Sequence, residues 1–258
     1  MKISLEGRNA LICGSTQGIG LAIARELALQ GARCILMARN EELLKERIHQ
    51  LPGAGHQYAV ADFSDPAQVK EVVAGLVSDQ TIHILINNTG GPAAGWIAEA
   101  NPDSFESAFR QHVICNHILA TAVIPGMKSD GYGRIINIIS TSVRIPIALL
   151  GVSNTIRAAT ASWAKTLSNE VGAFGITVNS ILPGFTDTQR LRSLIATNAQ
   201  RSGQSEADVE AGMIQTIPAK RFGRAEEIAA VAAFLASPAA SYVNGVSIPV
   251  DGGKTGTI

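Results

Sequence analysis

Short apolar runs alternate with stretches of helical period along the first half of the chain. Residues 10–14, 33–38, 55–61 and 82–87 read as strands, and residues 18–30, 41–49 and 65–80 as the helices between them. Nearly continuous apolar strands, bounded by turn residues and spaced by helices, imply parallel pairing through crossover connections. The pattern predicts an α/β fold. After the loop GGPAAG at 90–95 it continues with a long helix at 103–127, a β-branched strand at 134–139 and a helix at 154–172. A sixth strand at 176–182, a helix at 225–235 and a last strand at 246–250 complete it. No linker-like composition divides these elements, so one domain over residues 1–258 is expected.

Residues 186–218 break the pattern. Helices are predicted at 188–202 and 205–215, but only Leu191, Leu194, Ile195, Val209, Met213 and Ile214 give them an apolar side. A helical lid over a pocket at the strand ends accounts for this segment, and so does a plain surface excursion.

Charge narrows the function. The 21 basic and 21 acidic residues cancel, which leaves no global field to hold nucleic acid or an anionic membrane. Charged residues are 16% of the chain, below the quarter usual for a soluble domain, so other subunits are expected to cover part of the surface. Cys13, Cys34 and Cys115 lie far apart, without metal-ligand or disulfide spacing, and read as core thiols of a cytoplasmic protein. Neither a membrane-spanning run nor a signal peptide is evident in the sequence, and no metal is expected.

The first strand runs into GSTQGIG, where Gly14, Ser15, Gln17, Gly18, Ile19 and Gly20 lead into a helix. Glycines at this spacing let the backbone turn tightly and bring amides and the positive helix end toward a diphosphate. The preceding strand and following helix make this a dinucleotide site. After the second strand, Ala38 offers no acceptor for ribose hydroxyls, while Arg39 offers a fork suited to a 2′-phosphate. NADP(H) is therefore favoured over NAD(H), although an exposed arginine needs no ligand. Asp62 suits the adenine amino group, with Phe63 beside it. Asn88 and Gly90 end the fourth strand, and Pro183, Gly184 and Thr188 follow the sixth, with Thr188 placed to bind a carboxamide.

These segments resemble the classical short-chain dehydrogenase/reductases, close to their 3-oxoacyl-acyl-carrier-protein reductase branch. The resemblance runs through GSTQGIG at 14–20, NNTG at 87–90, GRIINIIS at 133–140, VNSILPGFTDT at 178–188, FGRAEEIAAVAAFLAS at 222–237 and YVNGVSIPVDGG at 242–253. It implies a Rossmann-type, doubly wound sheet of seven parallel strands with helices on both faces, usually assembled as a homotetramer. It also implies a serine that orients a substrate carbonyl, a tyrosine thirteen residues later that transfers the proton, and a lysine four beyond.

Here the serine position falls on Ser140, the tyrosine position on Ser153 and the lysine position on Arg157. An aliphatic hydroxyl is a far weaker acid than a phenol, whose reference pKa is near 10. Arg157 suits cofactor binding better than proton transfer. The long-helix asparagine of relatives falls on His112, which is either a proton donor, acting directly or through water, or a packed helix residue. Arg144 either faces the pocket or is solvated. Three functions stay open: an NADP(H)-dependent oxidoreductase acting on a carbonyl or alcohol, 3-oxoacyl-thioester-like or another small molecule; a nucleotide-binding sensor or assembly protein with little turnover; and a reductase of activated double bonds.

Overall fold

In each strand, successive side chains point to opposite faces of the sheet. In β1 (Asn9–Cys13), Ala10 and Ile12 pack on one face, and Leu11 and Cys13 on the other. The pattern recurs in β2 (Arg33–Ala38), where Cys34 and Leu36 oppose Ile35 and Met37, and in β4 (Ile84–Asn87), where Leu85 opposes Ile84 and Ile86. Strands buried on both faces need helices on both faces.

A computed structural model describes residues 3–257 and contains that arrangement. With β3 (Gln57–Val60), β5 (Gly133–Ile138), β6 (Ile176–Pro183) and β7 (Ser247–Val250), the strands form one seven-stranded sheet in the order β3-β2-β1-β4-β5-β6-β7. All six pairings are parallel. Helices α1 (Gly18–Leu29) and α9 (Ala225–Ala236) cover one face, burying Ile23, Leu27, Ile228 and Leu235. Helices α3 (Pro66–Asp79), α5 (Cys115–Ser129) and α6 (Gly151–Val171) cover the other through Val69, Leu119 and Ala164. The doubly wound α/β fold expected from the sequence is thus formed.

The predicted long helix is broken. α4 (Pro102–Phe109) passes into α5 through a π turn, Arg110–Ile114. A π turn inserts a residue into the helical repeat, a local change that hydrophobic periodicity does not resolve. His112 stands inside it.

α2 (Glu41–His49) lies beside β2, with Asn40 accepting the Leu43 amide at its start. In the 186–218 segment, α7 (Gln189–Ser202) is capped by Thr188 and α8 (Glu206–Gln215) by Ser205. Leu191, Ile195, Val209, Ile217 and Phe222 form a small core of their own, apart from the two cores that flank the sheet.

Asparagines tie the central strands below the surface. Asn87 donates to Asn137 at 2.9 Å, Asn137 to the Asn179 carbonyl at 3.3 Å, and Asn179 to the Val243 carbonyl at 2.8 Å. Among the described residues, no helix is long and apolar enough to cross a membrane.

Candidate functional site

Because β1 lies between β2 and β4, the connections to either side wind in opposite directions and their loops separate at the carboxyl edge of the sheet. A crevice of about 710 Å³ opens there, lined from the ends of all six strands from β1 to β6.

Gly14 makes the turn out of β1 with φ +58°, while its amide still donates to the Met37 carbonyl at 2.8 Å. A Cβ at this position would stand 2.5 Å from the Asn88 carbonyl oxygen, so only glycine lets the β1 and β4 loops meet. Asn88 fastens them, donating from Nδ2 to the carbonyls of Cys13 and Gly14, both at 3.2 Å. Helix α1 begins without a side-chain cap, whereas α2, α3 and α7 are capped by Asn40, Asp65 and Thr188. Gln17, Gly18 and Ile19 bring its open amides to the crevice wall. Such amides and the positive helix end form an anion site.

Ser15 and Gly20 correct the sequence-based expectation. The turn at Gly14 sends the Ser15 side chain into the protein, where it is fully buried and its hydroxyl meets no partner among the described residues. Gly20 packs against the Gly14 carbonyl and supports the turn from behind. Neither lines the crevice.

Arg39, Asp62 and Phe63 line the end of the crevice beside β2 and β3. Arg39 is exposed and enters no ion pair among the described residues. The Ser64 amide donates to the Asp62 carboxylate at 2.9 Å and holds its pKa below the ordinary value, with smaller help from Arg39. Asp62 is therefore an ionised acceptor.

At the other end, Asn88, Gly90, Ser140, Ser153, Arg157, Pro183, Gly184 and Thr188 all line the wall, as their strand-end positions predict. The Ser140 oxygen accepts the Ser142 amide at 3.1 Å, which orients the hydroxyl and leaves its proton for a ligand. Ser153 is mostly buried, yet its side chain makes no hydrogen bond to protein among the described residues. Arg157 donates to the carbonyls of Ile138 at 2.9 Å and Thr89 at 3.4 Å. Burial, then the nearby Arg190 charge, lowers its pKa to about 10, so it stays cationic at neutral pH.

His112 does not line the crevice. It is 2% exposed, its Nδ1 pairs with the Thr89 hydroxyl, and its Nε2 meets no partner among the described residues. Burial, followed by the positive charge of Arg157, pushes its pKa down to about 2. The imidazole is neutral at physiological pH, and the one N–H it keeps is far too weak an acid to supply a proton there, so of the two roles the sequence leaves open its burial favours the packed helix residue. Arg144 is exposed outside the wall. Tyr132 is turned away, donating to the Ala236 carbonyl.

Polar and charged residues that sequence reasoning missed, among them Thr89, Gln111, Arg190 and Lys254, also line the wall. Arg190 carried one signal, its place at the start of the segment read as a lid. Lys254 reaches the wall from beyond β7, a contact that only the folded chain creates.

A parallel sheet with a glycine turn, an uncapped helix start and a crevice at its switch point defines a Rossmann-type dinucleotide-binding protein. The chain belongs to the short-chain dehydrogenase/reductase family, its residues 14–255 matching the family model described as Enoyl-(Acyl carrier protein) reductase. It is 33% identical to the 3-oxoacyl-acyl-carrier-protein reductase FabG of Salmonella typhimurium, covering 97% of this chain and 98% of that protein. It is 32% identical to the NADPH-dependent reductase BacG of Bacillus subtilis, covering 97% and 99%. The structure of L-sorbose reductase from Gluconobacter frateurii, complexed with NADPH and L-sorbose, is similar with a TM-score of 0.94, 32% identity and full coverage of both chains.

Proposed function

We propose that the protein is an NADP(H)-dependent oxidoreductase that moves a hydride between the nicotinamide and a carbonyl or alcohol carbon of a small molecule. The carrying observation is the crevice itself, with open α1 amides at its centre, Arg39 without a carboxylate partner at one end, and Ser140 with Arg157 at the other. The residues suit the cofactor. The Gly14 turn and α1 amides would hold its diphosphate, Arg39 its 2′-phosphate, Asp62 and Phe63 its adenine, Asn88, Gly90 and Arg157 its second ribose, and Pro183, Gly184 and Thr188 its carboxamide. When bound, it supplies or accepts the hydride. The name of BacG and the NADPH complex of L-sorbose reductase support the choice.

Ser140 donates its hydroxyl proton as a hydrogen bond to the substrate oxygen, where negative charge develops. Ser153 stands in a family position that calls for a phenol, and neither a histidine nor a tyrosine lines the crevice among the described residues. Protons therefore pass through water held by the Ser140 and Ser153 hydroxyls. This lack of an acid near neutrality also favours a second reading, reduction of an activated double bond, in which the oxyanion is stabilised first and protonated later.

Helices α7 and α8 act as the substrate lid, since Leu191 and Leu194 reach the crevice from a small core separate from the sheet. We place the protein in the cytoplasm, in keeping with three buried, reduced cysteines. A homotetramer would cover exposed apolar residues such as Trp96, Ile97, Phe109 and Tyr242.

The test is NADPH oxidation with 3-oxoacyl thioesters, small ketones, oxo acids and activated enones. Ser140→Ala is expected to lower kcat about 100-fold while leaving NADPH affinity unchanged. Tight NADPH binding with no turnover on any class would support a sensor or assembly role instead.

A further inference from the structure

Among the described residues, Asp62 is the one carboxylate that lines the crevice, and it stands at the β3 end. The inner end carries two guanidinium groups. Arg157 reaches it from α6, and Arg190 from the first turn of α7. Each brings Nη2 to 3.6 Å from the point that a Cβ on Gly91 would occupy, so the two converge on one spot of the β4 loop. Their protein partners are neutral oxygens: the carbonyls of Ile138 and Thr89 for Arg157, and of Pro92, at 2.6 Å, for Arg190. Every ion pair among the described residues lies elsewhere. Asp187, three residues before Arg190, is engaged by Arg192 at 2.9 Å.

Folding alone gives no reason for this pair. Arg157 is desolvated beside a like charge, and both effects depress its pKa. Arg190 occupies a helix start, where the macrodipole favours anions over cations. Each guanidinium has five N–H donors, more than the carbonyls around it accept. An anion between the two would offset the repulsion, favour both charges and take up the remaining donors in a charge-assisted fork.

We infer that Arg157 and Arg190 form an oxyanion subsite that takes the carboxylate of an acidic substrate, an oxo acid or its hydroxy-acid counterpart. The inference rests on the redox reading above and adds the substrate class. A cofactor diphosphate has the same acceptor chemistry, but its donors are the open amides of α1 beside Gly14. The arginine pair is fastened beyond β4 and β5, on the wall that carries Ser140 and Ser153. A carboxylate clamped there brings a neighbouring carbonyl toward the Ser140 hydroxyl, so Arg190 sets specificity.

The NADP⁺ complex of the full chain is titrated calorimetrically with acetoacetate, levulinate and 2-oxoglutarate, each against its neutral amide. At least one acid is expected to bind 10-fold or more tighter than its amide, where about 1.4 kcal/mol corresponds to each factor of ten. Arg190→Gln abolishes that difference, Arg190→Lys restores part of it, and NADPH affinity stays within about threefold for both. The inference is overturned if each acid and its amide bind alike in the unmodified protein. It is equally overturned if Arg190→Gln weakens NADPH as much as the acid, which would assign the pair to the diphosphate. Binding is read without turnover, so an absence of turnover with every substrate would sink the redox reading separately.

Discussion

Replacing Arg39 by alanine separates cofactor choice from everything else the crevice does. The side chain is exposed, follows β2 directly and enters no ion pair among the described residues. Its removal should therefore leave stability within about 0.5 kcal/mol, as for other surface changes without a structural partner. Against a 2′-phosphate the guanidinium forms a charge-assisted fork, and hydrogen bonds to charged groups contribute about 1.5–3 kcal/mol. Solvent screening at this open end favours the lower part of that range. Arg39→Ala should then weaken NADPH by roughly 10- to 30-fold, taking 1.4 kcal/mol as a factor of ten, and change NADH by less than about twofold. Dissociation constants for both nucleotides, from quenching of protein fluorescence at two salt concentrations, check this. The loss should shrink at high salt. An equal loss for NADPH and NADH would mean that Arg39 supports the loop, and no loss for either would mean that it is only solvated; either outcome refutes the assignment.

Two further outcomes follow from the turn and from the buried imidazole. Gly14→Ala forces an alanine to φ near +58° with its Cβ 2.5 Å from the Asn88 carbonyl oxygen; a loss of about 2–3 kcal/mol is expected, with NADPH binding falling in parallel, and an unchanged melting temperature would contradict it. His112 is held neutral down to about pH 2 in the fold but titrates near 6.5 when unfolded. The unfolded state then binds the extra proton, so stability present above about pH 6.5 is lost as pH falls toward 2. His112→Gln should flatten the decline of melting temperature between about pH 6 and 4 and leave the pH dependence of turnover near neutrality unchanged; a shifted activity profile would return His112 to proton transfer.

Local rules carried much of the structure. Short apolar strand runs and helices with caps such as Asp65 before Pro66 need only neighbouring residues to form, and their alternation dictates parallel strands with crossover helices. Strand ends then locate the crevice, and the sequence alone assigns Gly14, Asp62, Asn88, Ser140, Ser153, Arg157 and Thr188 to positions at or beside them. The loss of the phenol at Ser153 was equally legible, because residue type and spacing along one helix are properties of the chain. Burial and convergence were not. The sequence leaves His112 open as an acid or a packed residue; a π turn and the packing of α4 against α6 remove it from water, and dehydration, not sequence, sets its pKa. Ser15 pointed inward because the backbone reversed one residue earlier. Arg157 and Arg190 are separated by β6 in sequence, and only its parallel pairing with β5 brings their guanidinium groups to the same glycine. The order of elements and the chemistry at the strand ends follow from residue type and spacing; which charges lose solvent and which meet depends on contacts between residues far apart along the chain, which only folding makes.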